Sequence, residues 1–89
     1  MHGLEQIVAM NAKAGQSTSV DLSAFTPWGV EYGSTEDALG YRAVNADTHA
    51  RGPVFATYDQ ALADMIARHA GHEDPKHLGF APVAATAGA

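Results

Sequence analysis

Apolar positions recur along this chain with two different periods, and the switches between them mark out its elements. In residues 3–14, GLEQIVAMNAKA, Leu4, Ile7, Val8 and Asn11 fall at i, i+3, i+4 and i+7, the spacing of one helical face. Ala9, Ala12 and Ala14 favour helix, Glu5 and Lys13 complement its dipole, and Gly15 supplies a stop. The period then drops to two. Val20 and Leu22 alternate with Ser19, Asp21 and Ser23, which predicts a short half-buried strand broken by Phe25-Thr26-Pro27. Trp28, Val30 and Tyr32 share one face of a second strand, and residues 41–45, YRAVN, form a third. Residues 33–40, GSTEDALG, read as a connection, either a loop or one helical turn capped by Ser34 or Thr35. Residues 45–52 are a polar turn region. Residues 53–56, PVFA, make a fourth strand that begins with proline and so starts a strand or lies at an edge.

The helical period returns after that. Thr57-Tyr58-Asp59-Gln60 is a capping box, in which the Thr57 hydroxyl accepts from the third amide of the helix and Gln60 reaches back. Leu62, Met65, Ile66 and His69 form one face, with Tyr58 a turn before them. Gly71 marks the end of the helix near Ala70, and Pro75 bars its continuation. Helix, short strands and helix on short connections predict an α+β fold. Its small antiparallel sheet has three to four short strands, with the two helices packed on one face. Residues 1–80 form the single domain and 81–89 a flexible, Ala-rich tail; Leu78, Phe80 and Val83 fold back on the core.

Composition narrows the class of function. A chain of 89 residues buries only about 60–65 % of its unfolded surface, so a homodimer or a stable complex would add to a small core. Ten acidic residues against five basic ones give a net charge of −5. Lys13, Arg42, Arg51, Arg68 and Lys76 are scattered and form no basic stripe, which argues against nucleic acid. No apolar run approaches the roughly 18 residues of a membrane span, and the N-terminus carries no export signal, so the expected location is cytoplasmic. The absence of cysteine excludes disulfides and thiolate sites.

The densest chemistry lies in residues 65–77, MIARHAGHEDPKH, with His69, His72, His77, Glu73 and Asp74. On a continuous helix His69, His72 and Glu73 would share a face and suit zinc. Gly71 interrupts that helix, so Arg68 and His69 read as a C-terminal cap on the helix dipole and the rest as a mixed-charge loop. No cofactor is expected, and a histidine metal site, which His2 and His49 could complete, is the alternative reading. Ser17, Ser19 and Ser23 sit in no nucleophile elbow, Asp47-Thr48-His49 reads as a capped turn, and Gly29, Gly33 and Gly40 match no phosphate fingerprint. No enzyme activity is expected. The candidate partner-binding residues are Trp28, Glu31, Tyr32, Glu36, Asp37 and Tyr41. Aromatics anchor interfaces when exposed, though the three here also suit a core; acids beside them suit a protein partner with a basic or Arg- and aromatic-rich surface. Arg51 and Pro53 lie near an edge strand that could pair with a partner strand.

Two resemblances accompany this reading. The segment from Trp28 to His69, through GPVFATYDQALADMIA, resembles the small sheet-plus-helix antitoxins of the HicB type at Thr57, Ala61, Leu62 and Ala63. In size and acidity the chain is similar to the small single-domain accessory proteins that bacteriophages encode to bind host factors, anti-CRISPR proteins among them. That likeness implies an inhibitor of a host or defence protein. The function expected is a non-enzymatic protein-binding module that works by stoichiometric occlusion. The alternatives are the metal-binding domain and a structural homo-oligomer subunit.

Overall fold

The computed structural model describes residues 4–34, 39–72, 78–79 and 81–83. Helix α1 spans Leu4–Lys13, strands β1 and β2 span Trp28–Ser34 and Leu39–Asn45, and helix α2 spans Tyr58–His69. The fold is α+β, built on a two-stranded antiparallel sheet. α2 packs on both strands, and α1 packs chiefly on α2. The helices are therefore stacked in layers above the sheet. Of the two helices expected on one face of the sheet, α2 makes the contacts with both strands and α1 makes its contacts chiefly with α2.

Each helix ends where local chemistry ends it. Thr57 sits before α2 in extended backbone, and its Oγ1 accepts from the Gln60 amide at 3.2 Å. At the other end Gly71, with φ of 92°, turns the chain left-handed. The His72 amide donates to the Ala67 carbonyl and the Gly71 amide to the Arg68 carbonyl, the paired bonds of a Schellman stop. Gly15, with φ of 76°, repeats the device on α1, with Gln16 donating to Asn11 and Gly15 to Ala12. The buried face of α1 is rotated from the one its large residues suggest. Glu5, Val8 and Ala9 are buried, while Leu4, Ile7 and Met10 are exposed. Val8 and Ala9 join the core shared with α2, and Glu5 reaches His72 Nδ1 at 3.3 Å.

The three or four expected strands reduce to two among the described residues. The alternation around Val20 yields instead a 3₁₀ helix at Leu22–Phe25. Asp21 caps it, accepting from the Ser23 hydroxyl at 2.7 Å and the Ser23 amide at 3.0 Å. These bonds hold the Asp21 carboxyl below its usual pKa, the hydroxyl contributing most. A side chain that satisfies backbone two residues on competes with a strand ladder. The segment at 53–56 does approach the sheet. It lies along the far edge of β2 in two isolated bridges, Val44 with Arg51 and Tyr41 with Phe55. Two residues of β2, Arg42 and Ala43, face three on the segment, Gly52, Pro53 and Val54. This is a bulge, and it sits where Pro53 has no amide to offer.

The core joins Val8, Ala9, Ala43, Leu62, Ala63, Met65, Ile66 and Leu78, with Val20, Phe25, Trp28 and Val30 packed against it. Of the residues expected to fold back, Leu78 is buried. Val83 is exposed, although its amide donates to the Val54 carbonyl at 2.7 Å. Phe80 and residues 84–89 lie outside the described residues, as do residues 35–38 within the expected connection.

α2 is buried through Ala61, Leu62, Ala63, Asp64, Met65, Ile66 and Ala67 in succession. Asp64, 1 % exposed, is held by Arg68 one turn on, Nε to Oδ2 at 2.8 Å. Gly52 lies against this pair so closely that a Cβ there would meet Asp64 Oδ2 at 2.6 Å and Arg68 Nε at 2.8 Å. Gly52→Ala is therefore expected to destabilise the fold by about 1–3 kcal/mol in urea unfolding. Gly29→Ala, whose Cβ enters open space, should stay within about 0.5 kcal/mol of the parent. Arg68→Met, which strips a buried carboxylate of its ion partner, should cost about 3 kcal/mol in the same measurement.

Candidate functional site

The β1–β2 register places Trp28 opposite Asn45, Val30 opposite Ala43 and Tyr32 opposite Tyr41. Side chains alternate between faces, so these pairs share the face that carries α2, while Glu31, opposite Arg42, points to the other. Trp28 and Val30 reach the core beneath α2. Tyr32 and Tyr41 lie farther along, where α2 begins.

Their rings meet edge to face at 4.9 Å, and Tyr41 meets Tyr58, the first residue of α2, at 5.8 Å and 88°. The three tyrosines form a ladder that runs from the helix start outward across both strands. Its inner members are partly covered. Tyr32 at the outer end is 63 % exposed, and Leu39, on the same face of β2, is 65 % exposed. At the helix start Asp59 Oδ2 accepts from the Ser17 hydroxyl at 2.9 Å, which ties the chain after α1 beside the ladder.

The six candidate residues thus separate. Tyr32 and Tyr41 are together on the ladder. Trp28 shares their face but packs into the core. Glu31 faces away, where Arg42 Nε holds it at 2.6 Å and Arg51 Nε at 3.4 Å, so the acid is compensated on the spot. Glu36 and Asp37 lie outside the described residues, in the stretch of chain that joins Ser34 to Leu39. Leu39 and Tyr58 were not foreseen as site residues. Leu39 falls within the expected connection, although it keeps the alternation of Tyr41 and Ala43, and Tyr58 stands a turn before the expected core face of α2.

The histidines are dispersed. His69 packs its ring edge-on against Phe25 at 5.2 Å, His72 contacts Glu5, and His49 occupies a turn with φ of 62°. That turn is fixed by Asn45 Oδ1, which accepts from the Asp47 and Thr48 amides. His2, Glu73, Asp74 and His77 lie outside the described residues. Among the described residues no three histidine, aspartate or glutamate side chains come together, and no helix is long and apolar enough to cross a membrane.

No protein-family model, no curated protein and no solved structure matches this chain. The ladder has an anchored inner part and an exposed outer part. Tyr41→Ala is expected to lower stability by about 2 kcal/mol, through loss of partly buried area and two ring contacts. Tyr32→Ala should lower it by less than about 1 kcal/mol, since most of that ring is already in water. Thermal melts of the two variants measure the difference.

Proposed function

We propose that this protein is a non-enzymatic binding module that occludes a protein partner stoichiometrically, with Tyr32, Tyr41, Tyr58 and Leu39 as its contact surface. The observation that supports this reading is the exposure of Tyr32 and Leu39 at the end of a packed aromatic ladder. Tyrosine presents a large area on few rotatable bonds, so ordering it on binding costs little entropy. Here Tyr41 and the start of α2 already restrain the ring. Such preorganised aromatic anchors contribute most where a partner pocket fully desolvates them.

The electrostatics refine the partner. The chain carries −5 overall, and Arg42 and Arg51 are drawn to the opposite sheet face by Glu31. The ladder face is left without these two cations. A partner surface bearing arginine and aromatic groups suits it, because guanidinium stacks on tyrosine faces. In its most specific form the reading is an inhibitor of a host or defence protein, as the likeness to phage accessory proteins implies.

The test is capture of a partner from lysate of the native host, followed by titration of the purified pair. The wild-type chain should bind one partner at a fixed ratio. The combined change Tyr32→Ala and Leu39→Ser should weaken binding by about 100-fold or more, equivalent to two modest hot-spot residues, while the melting temperature stays within a few degrees. A fixed-ratio complex that tolerates the double change would move the contact surface off the ladder.

A further inference from the structure

The outer edge of β1 is the strongest unassigned feature. The pattern of bonds on β2 determines what that edge presents. Tyr41 exchanges both its amide and its carbonyl with Phe55, the Ala43 carbonyl accepts from Gly52, and the Asn45 amide donates to the Ala50 carbonyl. The backbone groups of Tyr41, Ala43 and Asn45 therefore point away from β1, and those of Gly40, Arg42 and Val44 point toward it. By the register, Gly29, Glu31 and Gly33 are the β1 residues that bond β2. The groups of Val30, Tyr32 and Ser34 consequently face outward. The short ring contact between Tyr32 and Tyr41 fits this assignment, because side chains approach more closely across a pair that exchanges no hydrogen bond. Among the described residues no segment pairs with this edge. It carries no lysine and no proline, and its one charge, Glu31, is already held by two arginines. Among the described residues the usual devices that keep a strand edge single, a lysine, a proline or a covering segment, are missing.

We infer that the occupant of this edge is β1 of a second copy of the chain, antiparallel and centred on Tyr32. In this register Tyr32 pairs with the second copy's Tyr32, and Val30 with the second copy's Ser34. Every outward amide and carbonyl of the three residues then meets a complement. Glu31 falls opposite the second copy's Gly33, not opposite a second Glu31. A pairing centred on Glu31 itself would oppose like charges directly, which is destabilising. A pairing centred on Val30 would extend over Trp28, the end of β1 that lies against the 3₁₀ helix. Pairing along this edge also leaves room for the helices. Each copy brings two strands, so the two sheet halves are offset by about 9.6 Å, within the usual separation of packed helices. The result is a four-stranded sheet with the two tyrosine ladders running as one across the two-fold axis. This deepens the proposed function, since the contact surface becomes a doubled, two-fold one, while the pairing itself stands on the strand geometry alone.

The chain has no cysteine, so one introduced thiol reports the axis directly. Tyr32→Cys should oxidise rapidly to a covalent dimer, because an opposed pair in a bonded register has Cα atoms about 5.5 Å apart, within disulfide range. Leu39→Cys, equally exposed but away from the axis, should cross-link at least tenfold more slowly. In sedimentation of the purified wild-type chain, twice the chain mass is expected at high micromolar concentration. Tyr32→Pro, which removes an outward amide without touching the β2 ladder, should be a monomer with retained helical circular dichroism. Tyr32→Ala keeps that amide and should dimerise more weakly than wild type but still measurably. Equal cross-linking rates, or a Tyr32→Pro chain that dimerises like wild type, would overturn the inference. So would a wild-type chain that stays monomeric up to millimolar concentration. A monomer that still captures a partner through Tyr32 and Leu39 would sink the dimer alone. A dimer whose complex tolerates the Tyr32→Ala and Leu39→Ser change would sink the ladder reading alone.

Discussion

A carboxylate inside the central helix is the constraint on which the rest of the structure depends. α2 is enclosed for two turns, and Asp64 lies in the middle of that stretch with 1 % of its surface exposed. Placing a charge there is costly unless a counter-ion and hydrogen bonds come with it. The helix supplies the counter-ion from its own next turn, at Arg68. The enclosing segment must then pass close to a bulky ion pair, and it does so at Gly52, where no side chain intervenes. That passage sits in the bulge with Pro53. It is why the third extended segment touches β2 at only two bridges and never becomes a strand of the sheet.

The exposed site follows from the resulting shape. Alanines at 61, 63 and 67 make α2 narrow, and its neighbours close around it. Its first residue is Tyr58, so the strand pair overhangs it at the Tyr32 and Leu39 end. A side chain there cannot pack under a helix that has not begun. Tyr41 is covered from one side by Tyr58 and from the other by Tyr32, and the last ring is left in water. The same residue type thus changes role along one face. Val30 belongs to the core, Tyr41 bridges, and Tyr32 is surface, all on a single alternation. On the other face Glu31 gathers Arg42 and Arg51, so the two sides of a very small sheet present different chemistries.

What could be read from the sequence was whatever depends on near neighbours. The Thr57 cap and the glycine stops at Gly15 and Gly71 need only residues within one turn, and the structure forms them. The strand expected around Val20 rested on a brief alternation. Asp21 and Ser23 outweigh it with bonds made within three residues, a competition visible in the sequence to anyone weighing an Asp-x-Ser turn. The rotation of α1 was not legible, because it depends on which side of the helix meets α2, and the larger residues Leu4, Ile7 and Met10 point the wrong way. The candidate site was half legible. Tyr32 and Tyr41 could be named from their alternation, but Trp28 keeps the same alternation and differs in depth, and Glu31 takes the opposite face with its own partners. Depth and partners are decided by where α2 starts and where Arg51 returns.

The choice of a glycine on each side of Glu31 is best understood from the backbone edge. Glycine inside a strand weakens it, and neither Gly29 nor Gly33 is needed to avoid a clash within the chain, since a Cβ at each would enter open space. Both residues direct their amides and carbonyls into the β2 ladder, while the residues between and beyond them direct theirs outward. A second strand laid against that edge with Tyr32 at its centre places Glu31 opposite the second copy's Gly33, and the missing Cβ leaves space there for Glu31 and its two arginines. Within one chain these glycines only reduce stability. Across a two-fold strand pairing Gly33 accommodates the one charged group that would otherwise oppose it.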